Sequence, residues 1–216
     1  MEIIKKIFQD ELKYDGNVIL KYTIEYPQVV YSKWKMSAKI FNEYNEKKAI
    51  QLKRLSTGKL FYEAKELYEY NKKNGYPLIC YEVYSKFKVT YNTNNILSLY
   101  SDEYIYQGGA HGLTNRTSQN WDFRTGRQIR LNELFIRNPN YVTYILTKIN
   151  KKISENIKNG NNIYFENYCC LTSETFSVNN FYLQDGKVII YYQQYDIAPY
   201  SSGILTFEIW WIIAVI

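Results

Sequence analysis

The segment Tyr81–Tyr91 constrains the fold more than any other. Tyr81, Val83, Ser85, Phe87, Val89 and Tyr91 alternate with Glu82, Tyr84, Lys86, Lys88 and Thr90. A period of two places one set of side chains on each face of a strand, so this segment is extended with one buried face. Asn92-Thr93-Asn94-Asn95 follows as a turn, and Ile96–Tyr106 returns as the partner strand. The same pattern occurs earlier. Val18, Leu20, Tyr22, Ile24 and Tyr26 oppose Lys21, Thr23 and Glu25, behind an Asp15-Gly16-Asn17 turn that tolerates positive φ. Pro27 is expected to end that strand or mark its edge.

Between these hairpins the period changes to that of a helix. Trp34, Ala38, Phe41, Tyr44, Ala49, Leu52 and Leu55 recur at helical intervals over residues 32–57, with lysines and glutamates between them. Gly58 is expected to interrupt the pattern. A second helix then runs to Asn74-Gly75, where glycine suits a C-terminal cap. Further strands are expected at Ser118–Phe123, Arg127–Ile129, and across an Asp185-Gly186 hairpin. A long helix ending at Lys158 could be capped by Asn132, but Pro139 favours a start at Asn140. Residues 159–171 read as a polar, aromatic loop, and Ile209–Ile216 as a buried final strand or an altered terminus. The spacing predicts an α+β fold: mainly antiparallel hairpins forming a sheet covered by a few helices, in two subdomains. Neither a repeat nor a Gly/Pro/Ser-rich linker is visible, and the boundary is expected near residue 100, giving regions 1–100 and 101–216.

Composition excludes several classes. A chain of 216 residues, 46% hydrophobic, can build a core and is not disordered. Three cysteines are too few for a disulfide scaffold. The net charge of +6 is spread along the chain rather than clustered, which argues against nucleic acid. No apolar run approaches the ~20 residues of a membrane helix, since Glu208 cuts short the C-terminal one. The first residues show no signal-peptide pattern, which leaves a cytoplasmic placement open. Tyrosine is the outlier, at 24 residues.

Few residues could carry chemistry. His111, the only histidine, lies in Gly108-Gly109-Ala110-His111-Gly112. It could act as a general base with a carboxylate such as Asp122 or Asp196, if the fold supplied one. The favoured expectation is that the glycines make a tight turn and the imidazole bonds a nearby backbone carbonyl, since nothing near His111 in sequence supplies a second catalytic group. The Ser-centred and P-loop motifs are absent. Adjacent Cys169 and Cys170 and isolated Cys80 do not make a zinc site, and no cofactor is expected. The tyrosines offer a binding reading, because tyrosine combines apolar area with a hydroxyl. Tyr100, Tyr104 and Tyr106 lead into the glycines, while Tyr191, Tyr192, Tyr195 and Tyr200 cluster late in the chain. Tyr106, Gly108, Gly109, His111, Tyr195 and Tyr200 are the candidate binding residues.

Three segments carry a resemblance. They are Tyr106–Gly112, Asp122–Ile129 followed by Leu131–Phe135, and Tyr195–Gly203. In order and spacing they resemble the DUF3298 domain. The N-terminal part, with Glu25-Tyr26-Pro27 before a long helix, is similar to its usual companion, DUF4163, the PdaC/RsiV-type domain. The resemblance implies a non-catalytic accessory module, found beside peptidoglycan deacetylase domains and in the outer part of lysozyme-sensing anti-sigma factors. It implies a mostly extracytoplasmic setting and, as partner, a peptidoglycan fragment or a wall-associated protein. The alternatives are a hydrolase built on His111 and an intracellular protein-interaction domain.

Overall fold

The computed structural model describes residues 1–136 and 138–210. It is an α+β fold with two sheets. The strands are β1 (Glu2–Tyr14), β2 (Asn17–Tyr31), β3 (Tyr81–Thr93), β4 (Ile96–Tyr106), β5 (Leu113–Asp122), β6 (Arg127–Gln128), β7 (Phe181–Gln184), β8 (Lys187–Tyr192) and β9 (Leu205–Trp210). The helices are α1 (Lys35–Leu55), α2 (Phe61–Asn74), α3 (Tyr141–Lys158) and α4 (Tyr168–Glu174). Strands β1 to β6 form one sheet in chain order, and β7 to β9 form the other. The chain divides into two interleaved units. The first is Met1–Lys88, Ser101–Asn115 and Phe123–Gly126; the second is Val89–Tyr100, Arg116–Asp122 and the chain from Arg127 onward.

The first unit is built on the alternation in β2. Leu20, Tyr22 and Ile24 are buried against Ala49, Leu52, Leu60, Ala64 and Tyr68 of the helical segment. Lys21, Thr23 and Glu25 are only half-buried. The β1–β2 hairpin closes through Asp15 and Gly16, both at positive φ, as a two-residue loop requires to match strand twist. Pro27 does not end β2. It pairs with Lys5 inside the β1–β2 ladder, whereas the β2–β3 ladder covers only Leu20–Ile24. A residue without an amide hydrogen is accommodated where one side of its strand carries no ladder.

Two features of this unit escape a hairpin reading. Strands β2 and β3 are parallel, with Leu20 opposite Tyr81 and Ile24 opposite Ser85. A parallel pair needs a long crossover, which α1 and α2 supply. Gly58, moreover, does not break the helix. Residues Ser56–Leu60 form a π-helical turn that joins α1 to α2. Ser56 Oγ donates to the Leu52 carbonyl at 2.9 Å, and Thr57 Oγ1 donates to that of Lys53 at 3.1 Å. The chain therefore satisfies the altered turn locally instead of stopping. Helix α2 ends at Gly75 in the left-handed conformation.

The second unit encloses the β7–β9 sheet. Ile145, Ile149 and Ile153 of α3 form one core with Leu183, Val188, Ile190, Tyr192, Phe207 and Ile209. The opposite parity, Tyr182, Ile189 and Tyr191, packs with Tyr100 and Ile204. Five consecutive residues of β8, Val188–Tyr192, are buried because both faces of this sheet are covered. Helix α3 starts behind Asn140, and Asn132 instead lies in a 3₁₀ turn, Leu131–Phe135. Part of the expected 159–171 loop is helical, as α4 begins at Tyr168. Ile209 is buried in β9, and residues 211–216 lie outside the described residues. Among the described residues no helix is long and apolar enough to cross a membrane.

Candidate functional site

The glycine-rich segment connects β4 to β5 in the first unit. Gly108 and Gly109 sit at φ 96° and 89°, which suits residues without a Cβ. Gly112 is required for space. A Cβ there would lie 2.5 Å from the Ile105 carbonyl oxygen and from Cζ of Tyr104. Its amide donates to the Tyr104 hydroxyl at 3.2 Å. Tyr106 Oη donates to the Gly109 carbonyl at 3.1 Å, and Gln107 Nε2 donates to Glu63 of α2 at 2.9 Å. The exposed His111 places Nδ1 3.0 Å from the Gly112 carbonyl. The loop is thus folded back onto the end of β4 by its tyrosines.

Beside this loop, Tyr84, Lys86, Asp102, Tyr104 and Thr114 line an open cleft of about 380 Å³. The Tyr84 and Tyr104 rings stack at 6.1 Å with 24° between their planes. Strand parity explains why they meet. Tyr84 and Lys86 belong to the set that alternates with buried Val83 and Ser85, while Ile105, next to Tyr104, joins the core packed by the helices. Burial raises the Tyr84 hydroxyl above the ordinary phenol value, so it remains a hydrogen-bond donor across the physiological range.

The remaining candidates are in the second unit. Asp122 is buried at the end of β5, opposite Arg127 in the ladder. Asp196 accepts a hydrogen bond from the Gln193 amide at 2.6 Å. Burial raises its carboxyl, and that hydrogen bond partly opposes the shift. Both carboxylates therefore belong to a different unit from His111. Tyr195 is exposed, has φ 68°, and lies 5.9 Å from Tyr200, ring to ring. Tyr191 and Tyr192 do not contribute to an exposed aromatic surface. They are 2% and 1% exposed, and Tyr192 donates its hydroxyl to the Thr172 carbonyl at 2.8 Å. Burial, then Asp196, raises the Tyr192 phenol strongly. Cys80, Cys169 and Cys170 are free thiols. Among the described residues no group of three or more His, Cys, Asp or Glu gathers around a metal position.

Tyr84, Lys86, Asp102 and Thr114 are the lining residues that sequence reasoning passed over. The alternation in β3 already grouped Tyr84 with Lys86. Adding Asp102 and Tyr104 requires the β3–β4 register, and adding Thr114 requires knowing that the chain reverses at the glycines.

Fold and site together define a two-sheet α+β protein whose glycine loop seats a tyrosine beside an aromatic cleft. Residues 14–114 match the family model described as deacetylase PdaC, and residues 132–211 match that of DUF3298, a protein family of unknown function. The chain carries a PdaC-type N-terminal domain and a DUF3298 C-terminal domain. Its fold is similar to that of a DUF3298 family member from Bacteroides fragilis, at 18% identity and a TM-score of 0.69, over 97% of this chain and 90% of that one. A DUF3298 family protein from Pseudomonas aeruginosa is also similar, at 17% identity and a TM-score of 0.63, over 97% and 91% of the two chains. No curated protein matches the chain in sequence. The domains and the fold are consistent with a non-catalytic accessory module.

Proposed function

We propose that this chain is a binding or sensor module of the cell envelope that recognises a cell-wall glycan or a wall-associated protein. The observation that supports this reading is the use made of the glycine loop. Its hydrogen-bonding groups hold the loop against Tyr104 and Tyr106, and the result is a fixed set of aromatic rings. Rigid tyrosines are effective binding anchors because few rotatable bonds are immobilised per unit of contact area. Catalysis would instead need a base paired with a second positioned group. The PdaC description adds weight, since it names a deacetylase with which such a module would be associated.

The test is co-sedimentation of the purified chain with peptidoglycan sacculi, run beside a pull-down from solubilised wall proteins. Saturable retention by either supports the reading. Absence of both, for a folded chain at high micromolar concentration, overturns it.

A further inference from the structure

We propose that the cleft between Tyr84 and Tyr104 binds a saccharide, with an apolar ring face against the tyrosines and hydroxyls bonded by Asp102, Lys86 and Thr114. The proposal rests on the binding reading above and assigns it a place and a chemical class.

The cleft occupies one face of the sheet in the first unit. Helices α1 and α2 pack on the other face, through Tyr22, Ile24 and Val83. Its volume of about 380 Å³ falls at the low end of the ~300–1,000 Å³ usual for small-molecule sites, which suits a short segment of a glycan rather than a folded partner.

The lining selects among ligands. Tyr84 and Tyr104 supply aromatic area that an aliphatic C–H surface can cover. Lys86 and Asp102 carry opposite charges, so the walls have no net charge to attract a polyanion, and Asp102 would repel phosphate oxygens. A purely apolar ligand would take the charged ends of Lys86 and Asp102 out of water and offer them no hydrogen bond in return. A saccharide satisfies both demands: its ring face is apolar, and its rim carries hydroxyls that donate to a carboxylate and accept from an ammonium. Gly112 sets the geometry, because the loop closes directly onto the Tyr104 ring and fixes its plane.

The experiment is a titration of the full chain with chitotetraose, followed by calorimetry and by amide chemical shifts, with cellotetraose as comparator. Shifts are expected to cluster at residues 84–86, 102–104 and 112–114. Tyr84→Ala should weaken binding tenfold or more, and Asp102→Asn several-fold. Lys86→Ala, at an exposed position, controls for folding and should also weaken binding several-fold. The same variants are then sedimented with sacculi. Wild-type retention that all three variants preserve overturns the cleft while leaving the binding reading intact. Failure of both oligosaccharides to bind at millimolar concentration also overturns it. Failure of the wild type on sacculi and in the wall-protein pull-down instead removes the reading beneath it.

Discussion

The amide of Gly112 donates to the hydroxyl of Tyr104 at 3.2 Å, and the ring of that tyrosine fills the space where any other residue would carry its Cβ. The glycine at the end of the loop is therefore a packing requirement, distinct from the turn geometry of Gly108 and Gly109. Gly112→Ala should destabilise the fold by about 1–3 kcal/mol, as overpacking does. Urea denaturation measures this, and amide shifts around Tyr104 should move with it. Unchanged stability with an unmoved Tyr104 would show that the loop has room to give.

The strand alternations were legible because they depend only on neighbours in sequence. Leu20, Tyr22 and Ile24 were separable from Lys21, Thr23 and Glu25 without knowledge of any partner strand, as were Val83 and Ser85 from Tyr84 and Lys86. What depended on long-range pairing was not legible. The parallel contact of Leu20 with Tyr81 spans both helices, and the cleft needs the β3–β4 register to bring Asp102 and Tyr104 beside Tyr84. Gly58 misled for a local reason: glycine lowers helix propensity, yet a π turn absorbed it. Tyr191 and Tyr192 misled for another. Tyrosine is often half-exposed on strands, but both faces of β8 are covered.

Ser98 forms a buried junction in the second unit. It donates to Asn120 Oδ1 at 2.7 Å and accepts from the Leu183 amide at 2.8 Å, while Asn120 Nδ2 donates to the Phe181 carbonyl at 3.0 Å. These bonds tie β4 and β5 to β7. Ser98→Ala leaves the Leu183 amide and the Asn120 carbonyl without that partner in a site that is fully buried. The expected loss is about 1–3 kcal/mol by chemical denaturation. A loss below about 0.5 kcal/mol would mean that the network is replaceable.

Glu103 should make stability depend on pH in the sense opposite to that of most carboxylates. Burial holds its carboxyl above the ordinary value of 4.5, and Lys48 offsets this only in part. A carboxyl raised on folding holds its proton more tightly in the native chain. Its stabilising contribution is complete below the ordinary value and is lost as pH rises through the raised one. Glu103→Gln removes that loss. The variant should match wild type in its pH slope below about 4.5 and gain on it towards pH 7, measured as melting temperature against pH. A gap that stays constant with pH would sink this assignment.

Glu133 titrates the other way. The Arg130 amide donates to it at 2.7 Å, and Arg127 Nη1 lies 2.6 Å away. The Arg130 hydrogen bond, followed by that from Arg127, holds the carboxyl below its ordinary value. Its contribution is present above the ordinary value and is lost as pH falls through the depressed one. Glu133→Gln should cost roughly 0.5–1 kcal/mol at pH 7, allowing for solvent screening, and nothing at a pH below the depressed value. Denaturation at the two extremes distinguishes this from a simple packing defect, which would persist at both.

Tyr195 combines a strained backbone with an exposed ring. Its φ of 68° is a left-handed conformation that costs a bulky L-residue about 1–2 kcal/mol, and the ring is 51% exposed. The loop is held by the Gln193 amide on Asp196 and the Asp196 amide on the Gln193 carbonyl, two bonds that keep the turn in place without using the ring. Asparagine tolerates this conformation far better. Tyr195→Asn should therefore keep or raise the melting temperature, even though it gives up the contact with Tyr200. If the ring serves binding, retention on sacculi or on the captured wall protein should fall in the same variant. A lowered melting temperature would show instead that the aromatic pair stabilises the loop by more than the backbone strain costs.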